Sequence, residues 1–164
     1  MKKIYLTKKG HYTIVDDDDF ELFSRWKWDI HPYGYVIRSE YLGRSGGKSK
    51  LRTHRMHRDI VKCPTGMQVD HINGDKLDNR KSNLRICTNA QNQMNRPGIK
   101  NKTSQYKGVS WNKAMKKWEV CISKNNKNIY LGCFSDEKEA ALSYDLAAKE
   151  IQGDYAWLNF SNSK

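Results

Sequence analysis

A carboxylate and an imidazole stand side by side at Asp70-His71, within the stretch VDHINGDKLDNRKSNLRICTNAQNQMN. Amide side chains follow, among them Asn83 and Asn92, twelve and twenty-one positions after His71. Asp70 offers a carboxylate oxygen and Asn92 an amide carbonyl, hard donors that suit Mg²⁺ with the rest of its shell left to water and phosphate. An imidazole beside such an ion, and open to solvent, can take a proton from an attacking water. The same residues can also do less. Asp70 and His71 can share a turn hydrogen bond while the asparagines cap loops.

Both readings need elements that gather these groups at one edge. Residues 67–71 and 84–87 read as strands, with Ile72-Asn73-Gly74 as the turn after the first. Thr88 with Gln91 three positions on makes a capping box, so Asn92 falls in the first turns of a short helix. This is a strand–loop–strand–helix unit. Upstream, residues 4–6, 12–15, 26–30 and 35–38 read as short strands. The acids at 16–19 suit either a helix N-terminus or a solvated turn. GRSGGKSK at 43–50 reads as a basic, mobile loop. His54 and His57, interleaved with Arg55 and Arg58, suit a packing or phosphate-facing role better than a ligand pair on a helix.

The last third changes character. Residues 106–111, 117–123 and 128–134 read as three strands, the last two joined by a turn at 124–127. Trp118, Val120 and Ile122 alternate with Lys117, Glu119, Cys121 and Ser123, giving one apolar and one polar face. Ser135 reads as the cap of a helix carrying Ala140, Tyr144, Ala147, Ala148 and Ile151 on one stripe and stopping at Gly153. The segment 96–105 is polar, basic and broken by Pro97 and Gly98, as linkers are.

Composition limits the partners. Thirty Lys and Arg against eighteen Asp and Glu leave a net charge of +12, which favours polyanions through counterion release. No apolar run is long enough to span a membrane, so a cytoplasmic location without membrane contact is expected. The four cysteines form no CxxC pair, so neither structural zinc nor a disulfide scaffold is expected, and Cys63 and Cys87 should be spectators. Arg80 and Arg85 can clamp phosphate in bidentate fashion or pair with Asp75 or Asp78.

The wording DHINGDKLDNRKSNLR and the intervals from His71 to Asn83 and Asn92 resemble the HNH homing-endonuclease family, in its ββα-metal version ending in Asn. The resemblance implies that His71 is the general base, that Asn83 braces its loop, and that Asp70 and Asn92 hold a divalent metal, Mg²⁺ first and Mn²⁺ second. YKGV at 106–109, KW at 117–118, YLGCF at 130–134, EAALSYDLAA at 139–148 and LNF at 158–160 are similar to the AP2 DNA-binding domain. That likeness implies a sheet that reads the major groove through Lys107, Ser110, Asn112, Lys117, Ser123, Asn128 and Tyr130. Lys107, Lys113, Lys116 and Lys117 are expected on phosphate.

The expected fold is α+β. A small antiparallel N-terminal sheet (1–62) and a ββα-metal HNH unit (63–95) form the endonuclease domain, 1–95. A basic linker (96–105) leads to an AP2-type three-stranded antiparallel sheet packed on one helix (106–164). The expected function is metal-dependent nicking of double-stranded DNA by a monomer, phage-encoded by resemblance. The alternative is a non-catalytic AP2-type regulator with a degenerate nuclease module. An RNA-directed nuclease fits less well, since the reader suits a B-form groove.

Overall fold

A computed structural model describes residues 1–98, 103–124 and 127–160. The chain is α+β, and its contacts divide it into two compact units, Met1–Thr88 and Asn89–Lys164.

In the first unit β1 (Lys2–Tyr5) pairs antiparallel with β2 (Tyr12–Val15). The acid run opens α1 (Asp17–Phe23), where Asp17, Asp18 and Asp19 in the first turn meet the positive end of the helix dipole. The strand expected at 26–30 is cut to β3 (Asp29–Ile30). Trp28 closes the core instead. Trp28 is fully enclosed, its indole N–H donates to the Phe23 carbonyl at 2.8 Å, and Trp26 meets its ring edge-on at 6.4 Å. Burying such a ring stabilises by roughly 2–3 kcal/mol, more than two extra strand residues would.

β4 (Val36–Ser45) and β5 (Lys48–Arg55) form a long antiparallel hairpin. The loop expected at 43–50 is therefore strand and a two-residue turn. Gly46 and Gly47 both have positive φ, 59° and 75°, as a type I′ hairpin turn requires. α2 (Met56–Ile60) follows, so His54 lies on β5 and His57 alone on the helix. Then β6 (Gln68–His71) and β7 (Leu84–Cys87) pair with Asp70 opposite Arg85 and His71 opposite Leu84. Val15, Phe23, Trp28, Val36, Met56 and Val69 are among the buried side chains holding the unit together.

The second unit begins with α3 (Asn89–Met94), which contacts the 3-10 turn Gly153–Tyr155. The strand expected at 106–111 starts later, as β8 (Val109–Asn112). With β9 (Lys117–Lys124) and β10 (Lys127–Phe134) it makes a three-stranded sheet ordered β10-β9-β8. Residues 125 and 126 of the expected 124–127 turn, and 99–102 of the expected linker, lie outside the described residues.

α4 (Glu137–Gln152) covers the sheet, with Ala140, Ala141, Tyr144 and Ala148 packed on Val109, Val120 and Ile122. Its cap is Asp136, not Ser135. The Asp136 carboxylate accepts from the N–H groups of Lys138 and Glu139 at 2.8 and 2.9 Å, and an anion outperforms a hydroxyl at this end. Gly108 lets the chain pass Tyr144. Its φ is +77°, and a Cβ there would lie 2.1 Å from the ring.

Candidate active site

The turn after β6 is closed by amides. The Gly74 N–H donates to the His71 carbonyl at 2.8 Å, and the Ile72 N–H to the Asn83 carbonyl at 2.9 Å. Asn83 then works with both ends of its side chain. Its Oδ1 accepts from the Asn73 N–H at 3.0 Å, and its Nδ2 donates to the Asp78 carbonyl at 2.8 Å. Asn73 Oδ1 accepts from the Asp75 N–H, and Asp75 Oδ1 from the Leu77 N–H. Asp78, Asn79 and Asn83 of this polar loop can be buried because its polar groups are satisfied from within.

The N-terminal hairpin clamps the same loop from outside. The Ile14 N–H donates to the Leu77 carbonyl at 2.9 Å, and the Asn79 N–H to the Ile14 carbonyl at 2.8 Å. The acid run contributes too. Asp16 accepts from the Lys81 N–H at 2.7 Å, and Asp19 pairs with the Lys81 ammonium at 2.9 Å.

His71 sits inside this frame. Its Nε2 is 3.3 Å from Asn79 Oδ1. The Asn79 amide is oriented by its nitrogen, which donates to Thr13 Oγ at 2.8 Å, while the Thr13 hydroxyl donates to the Leu77 carbonyl at 2.7 Å. Asn79 Oδ1 is therefore an acceptor, so Nε2 carries the proton and Nδ1 carries the basic lone pair. The expected solvent-open imidazole is corrected: His71 is 4% exposed, with His57 edge-on at 5.2 Å and Tyr35 at 6.2 Å. Burial holds its pKa below the ordinary 6.5, and the Asn79 contact only partly offsets this. His57 is pushed down to about 3, chiefly by burial and then by His71. Both rings are neutral near pH 7. His54 has a separate role, linking Glu40 at 2.9 Å and Asp59 at 3.1 Å.

Asp70, 6% exposed, takes the Arg85 guanidinium on Oδ2 at 2.8 and 2.6 Å. Arg80 makes the ion pair that was its alternative, with Nε and Nη2 at 2.7 and 2.6 Å from the Asp78 carboxylate. That guanidinium holds Asp78 below the usual carboxylate range. Asp70, His71, Asn83 and Arg85 thus gather on one hairpin of the first unit, while half-buried Asn92 lies on α3 of the second. Among the described residues no three His, Cys, Asp or Glu side chains cluster as a metal site. The donor chemistry still fits a hard cation. A carboxylate and an amide carbonyl are the hard oxygen donors that such a cation takes, and of the Asp70 carboxylate it is Oδ2 that Arg85 engages. Sequence reading missed Asn79, Thr13 and Tyr35. Asn79 stood inside the quoted motif; Thr13 and Tyr35 carried no signal.

The outer face of the second unit's sheet carries most of the expected DNA-contacting residues. Ser110 is exposed, with Glu119 its partner across the ladder. Asn112 donates to Glu119 at 3.0 Å, and its Oδ1 caps the turn at the N–H groups of Ala114 and Met115. Ser123 donates to Asn128 Oδ1 at 2.6 Å, and the Tyr130 hydroxyl to Cys133 Sγ at 3.1 Å. Lys113, Lys116 and Lys117 are exposed. Lys107 is the exception and a correction. Its ammonium turns inward onto the Met94 carbonyl at 2.6 Å, where burial lowers its pKa to about 8.

With the geometry in hand, comparison with known proteins is informative. The family model described as HNH endonuclease matches residues 62–94, and the AP2 domain model matches 104–154. An uncharacterized HNH endonuclease of Acanthamoeba polyphaga mimivirus is 31% identical over 151 residues, covering 90% of this chain and 74% of that protein. Protein 3.8 of Escherichia phage T7 is 34% identical over 64 residues, covering 39% of this chain and 53% of the other. An AP2-like ethylene-responsive transcription factor of Arabidopsis thaliana is 38% identical over 69 residues, or 41% of this chain and 20% of the factor.

Proposed function

This chain belongs to the HNH endonuclease family and carries an AP2 domain; from that premise we propose that it is a metal-dependent DNA endonuclease that nicks one strand of a duplex. The observation that carries the reading is the relay Thr13–Asn79–His71, which supports a neutral base with its lone pair on Nδ1. In this reading His71 Nδ1 takes a proton from a water as that water attacks phosphorus, and the bond to the 3′ oxygen breaks. Asn83 keeps the turn after β6 in shape. Asp70 and Asn92 would hold a divalent cation, Mg²⁺ or Mn²⁺, which when bound supplies charge to stabilise the phosphorane and the departing oxygen. Arg85 neutralises and orients Asp70.

The domains run 1–95 for the endonuclease, 96–105 for the linker and 106–164 for the reader. The sheet face bearing Ser110, Asn112, Ser123, Asn128 and Tyr130 lies on the duplex, with Lys113, Lys116 and Lys117 on phosphate and Arg80 available if it leaves Asp78. With one metal site per chain, a monomer cuts one strand. The viral relatives favour a phage-encoded protein that acts in the cytoplasm of a bacterial host.

The test is conversion of supercoiled plasmids carrying a broad set of inserts to nicked circle. Wild type with Mg²⁺ should nick; wild type with EDTA and His71→Ala with Mg²⁺ should not. Duplex binding without cleavage in every arm favours the non-catalytic regulator.

A further inference from the structure

The helix α4 has two unlike faces. Its inner face, with Ala140, Ala141, Tyr144 and Ala148, is packed on the sheet. Its outer face carries Lys138, Glu139, Leu142, Leu146, Lys149 and Glu150, all exposed. Leu142 and Leu146 stand one helical turn apart, 52% and 70% exposed, and neither belongs to the core of the unit. A single exposed leucine is ordinary on a protein surface. Two at i and i+4, in the middle of an outer stripe, form an apolar centre on which another helix can sit.

The order of the charges says which helix. Positions 139, 142, 146 and 149 follow the alternating three-four spacing of a helix-packing seam. Read along α4, that seam is acid, leucine, leucine, base. Leu142 and Leu146 lie two positions either side of Tyr144, and Glu139 and Lys149 lie five. The seam is therefore complementary to its own antiparallel copy about a two-fold axis at the level of Tyr144. Leu142 then meets Leu146 of the second copy, and Glu139 meets its Lys149. A parallel pairing would instead set Glu139 against Glu139. None of Lys138, Glu139, Lys149 and Glu150 forms an ion pair among the described residues. Two lysines and two glutamates also leave this face neutral on a chain of net charge +12, so it suits neither a polyanion nor an acidic peptide.

We propose that the outer face of α4 is a self-association surface, where two copies of this chain pair antiparallel through Leu142 with Leu146 and Glu139 with Lys149. Because α4 covers the inner face of the sheet, pairing leaves the outer face, with Ser110 and Tyr130, open to DNA. Two leucines per copy make a contact smaller than a stable interface, so the pairing is weak and transient. Its consequence for cleavage rests on the nuclease reading: two nuclease units brought to one duplex cut both strands, where one cuts a single strand.

The test is sedimentation velocity of the full chain without DNA, from about 10 μM to about 1 mM protein. Salt is held at about 0.15 M, which screens the long-range repulsion between two cationic copies. Wild type should shift from monomer toward dimer as concentration rises. Glu139→Lys and Lys149→Glu, each alone, put like charges opposite one another and should weaken pairing about 10-fold or more. Mixed in equal amounts, the two variants match in both charged layers and should pair again. If either misfolds by thermal melting, the double variant Leu142→Ser, Leu146→Ser carries the test and should stay monomeric. A wild type that is monomeric throughout overturns the proposal, as it would if the chain's own nuclease unit covered this face. So do charge variants that pair like wild type, a mixture that does not recover, or a serine variant that still pairs. A chain that pairs but never nicks plasmid with Mg²⁺ sinks the nuclease reading and leaves the surface. Nicking by a chain that is monomeric at every concentration does the reverse.

Discussion

Asn79 turns its side-chain oxygen to Nε2 of His71 at 3.3 Å, while its nitrogen is engaged by Thr13, 66 residues away in sequence. The amide thereby selects the histidine tautomer. Asn79→Leu should lower single-turnover cleavage about 100-fold, with duplex affinity within about 2-fold, because orientation of the base is lost rather than contact with DNA. Asn79→Asp gives a sharper check. Burial holds the His71 pKa below 6.5, so the acid limb of the wild-type pH–rate profile should lie below that value. A carboxylate at position 79 favours imidazolium, and the acid limb should move to higher pH. Coincident pH–rate profiles would remove Asn79 from this role.

His57 predicts a pH dependence of stability. Its folded pKa is about 3, below the ordinary 6.5. Between those values the unfolded chain binds the extra proton, so stability rises with pH across the window. It is complete above about 6.5 and is lost as pH falls toward 3. From pH 7 to 5 this one group should remove about 2 kcal/mol, read by urea unfolding. His57→Phe keeps a ring and removes an Nδ1 that lacks a hydrogen-bond partner among the described residues, so most of that acid sensitivity should vanish. Equal losses in both proteins would contradict the assignment.

Arg85 and Asp70 predict a metal response without any cleavage assay. Arg85→Met removes the guanidinium from a buried carboxylate, which should destabilise by roughly 3–5 kcal/mol in EDTA. If Asp70 takes the cation, adding Mg²⁺ should restore part of the lost melting temperature, and raise it more in the variant than in wild type. Identical shifts in the two proteins would separate Asp70 from the metal.

Gly108 predicts the sensitivity of the second unit. Gly108→Ala places a Cβ 2.1 Å from the Tyr144 ring at a φ of +77°. Tyr144 is buried between helix and sheet and cannot step aside cheaply. The loss should be about 3 kcal/mol or more, seen by calorimetry. The nearby Lys107→Met should also lower stability, by about 1 kcal/mol, yet leave the salt slope of DNA binding unchanged, because that ammonium caps Met94.

The parts legible in the sequence were those written locally. β9, β10 and α4 announce themselves through alternation, a helical stripe and a stop at Gly153. The β4–β5 ribbon could not be read this way. Period-two patterning exists only where one face is buried, and this hairpin buries neither face past its base. Trp26 and Trp28 looked like strand residues because aromatics favour strands, but the core took Trp28 and left Trp26 exposed against its edge. Lys107 looked like a phosphate contact because nothing in its neighbours shows which way its amine turns.

By itself, then, the sequence determined which chemical groups are present and the order in which they occur: an acid beside an imidazole, amides at set intervals, and a surplus of cations. Which nitrogen of His71 holds the proton, which carboxylate each arginine meets, and which lysine faces inward were decided by the tertiary structure. Hydrogen-bond direction and desolvation depend on groups brought together from distant points of the chain, such as Thr13 and Asn79. No local spacing encodes them.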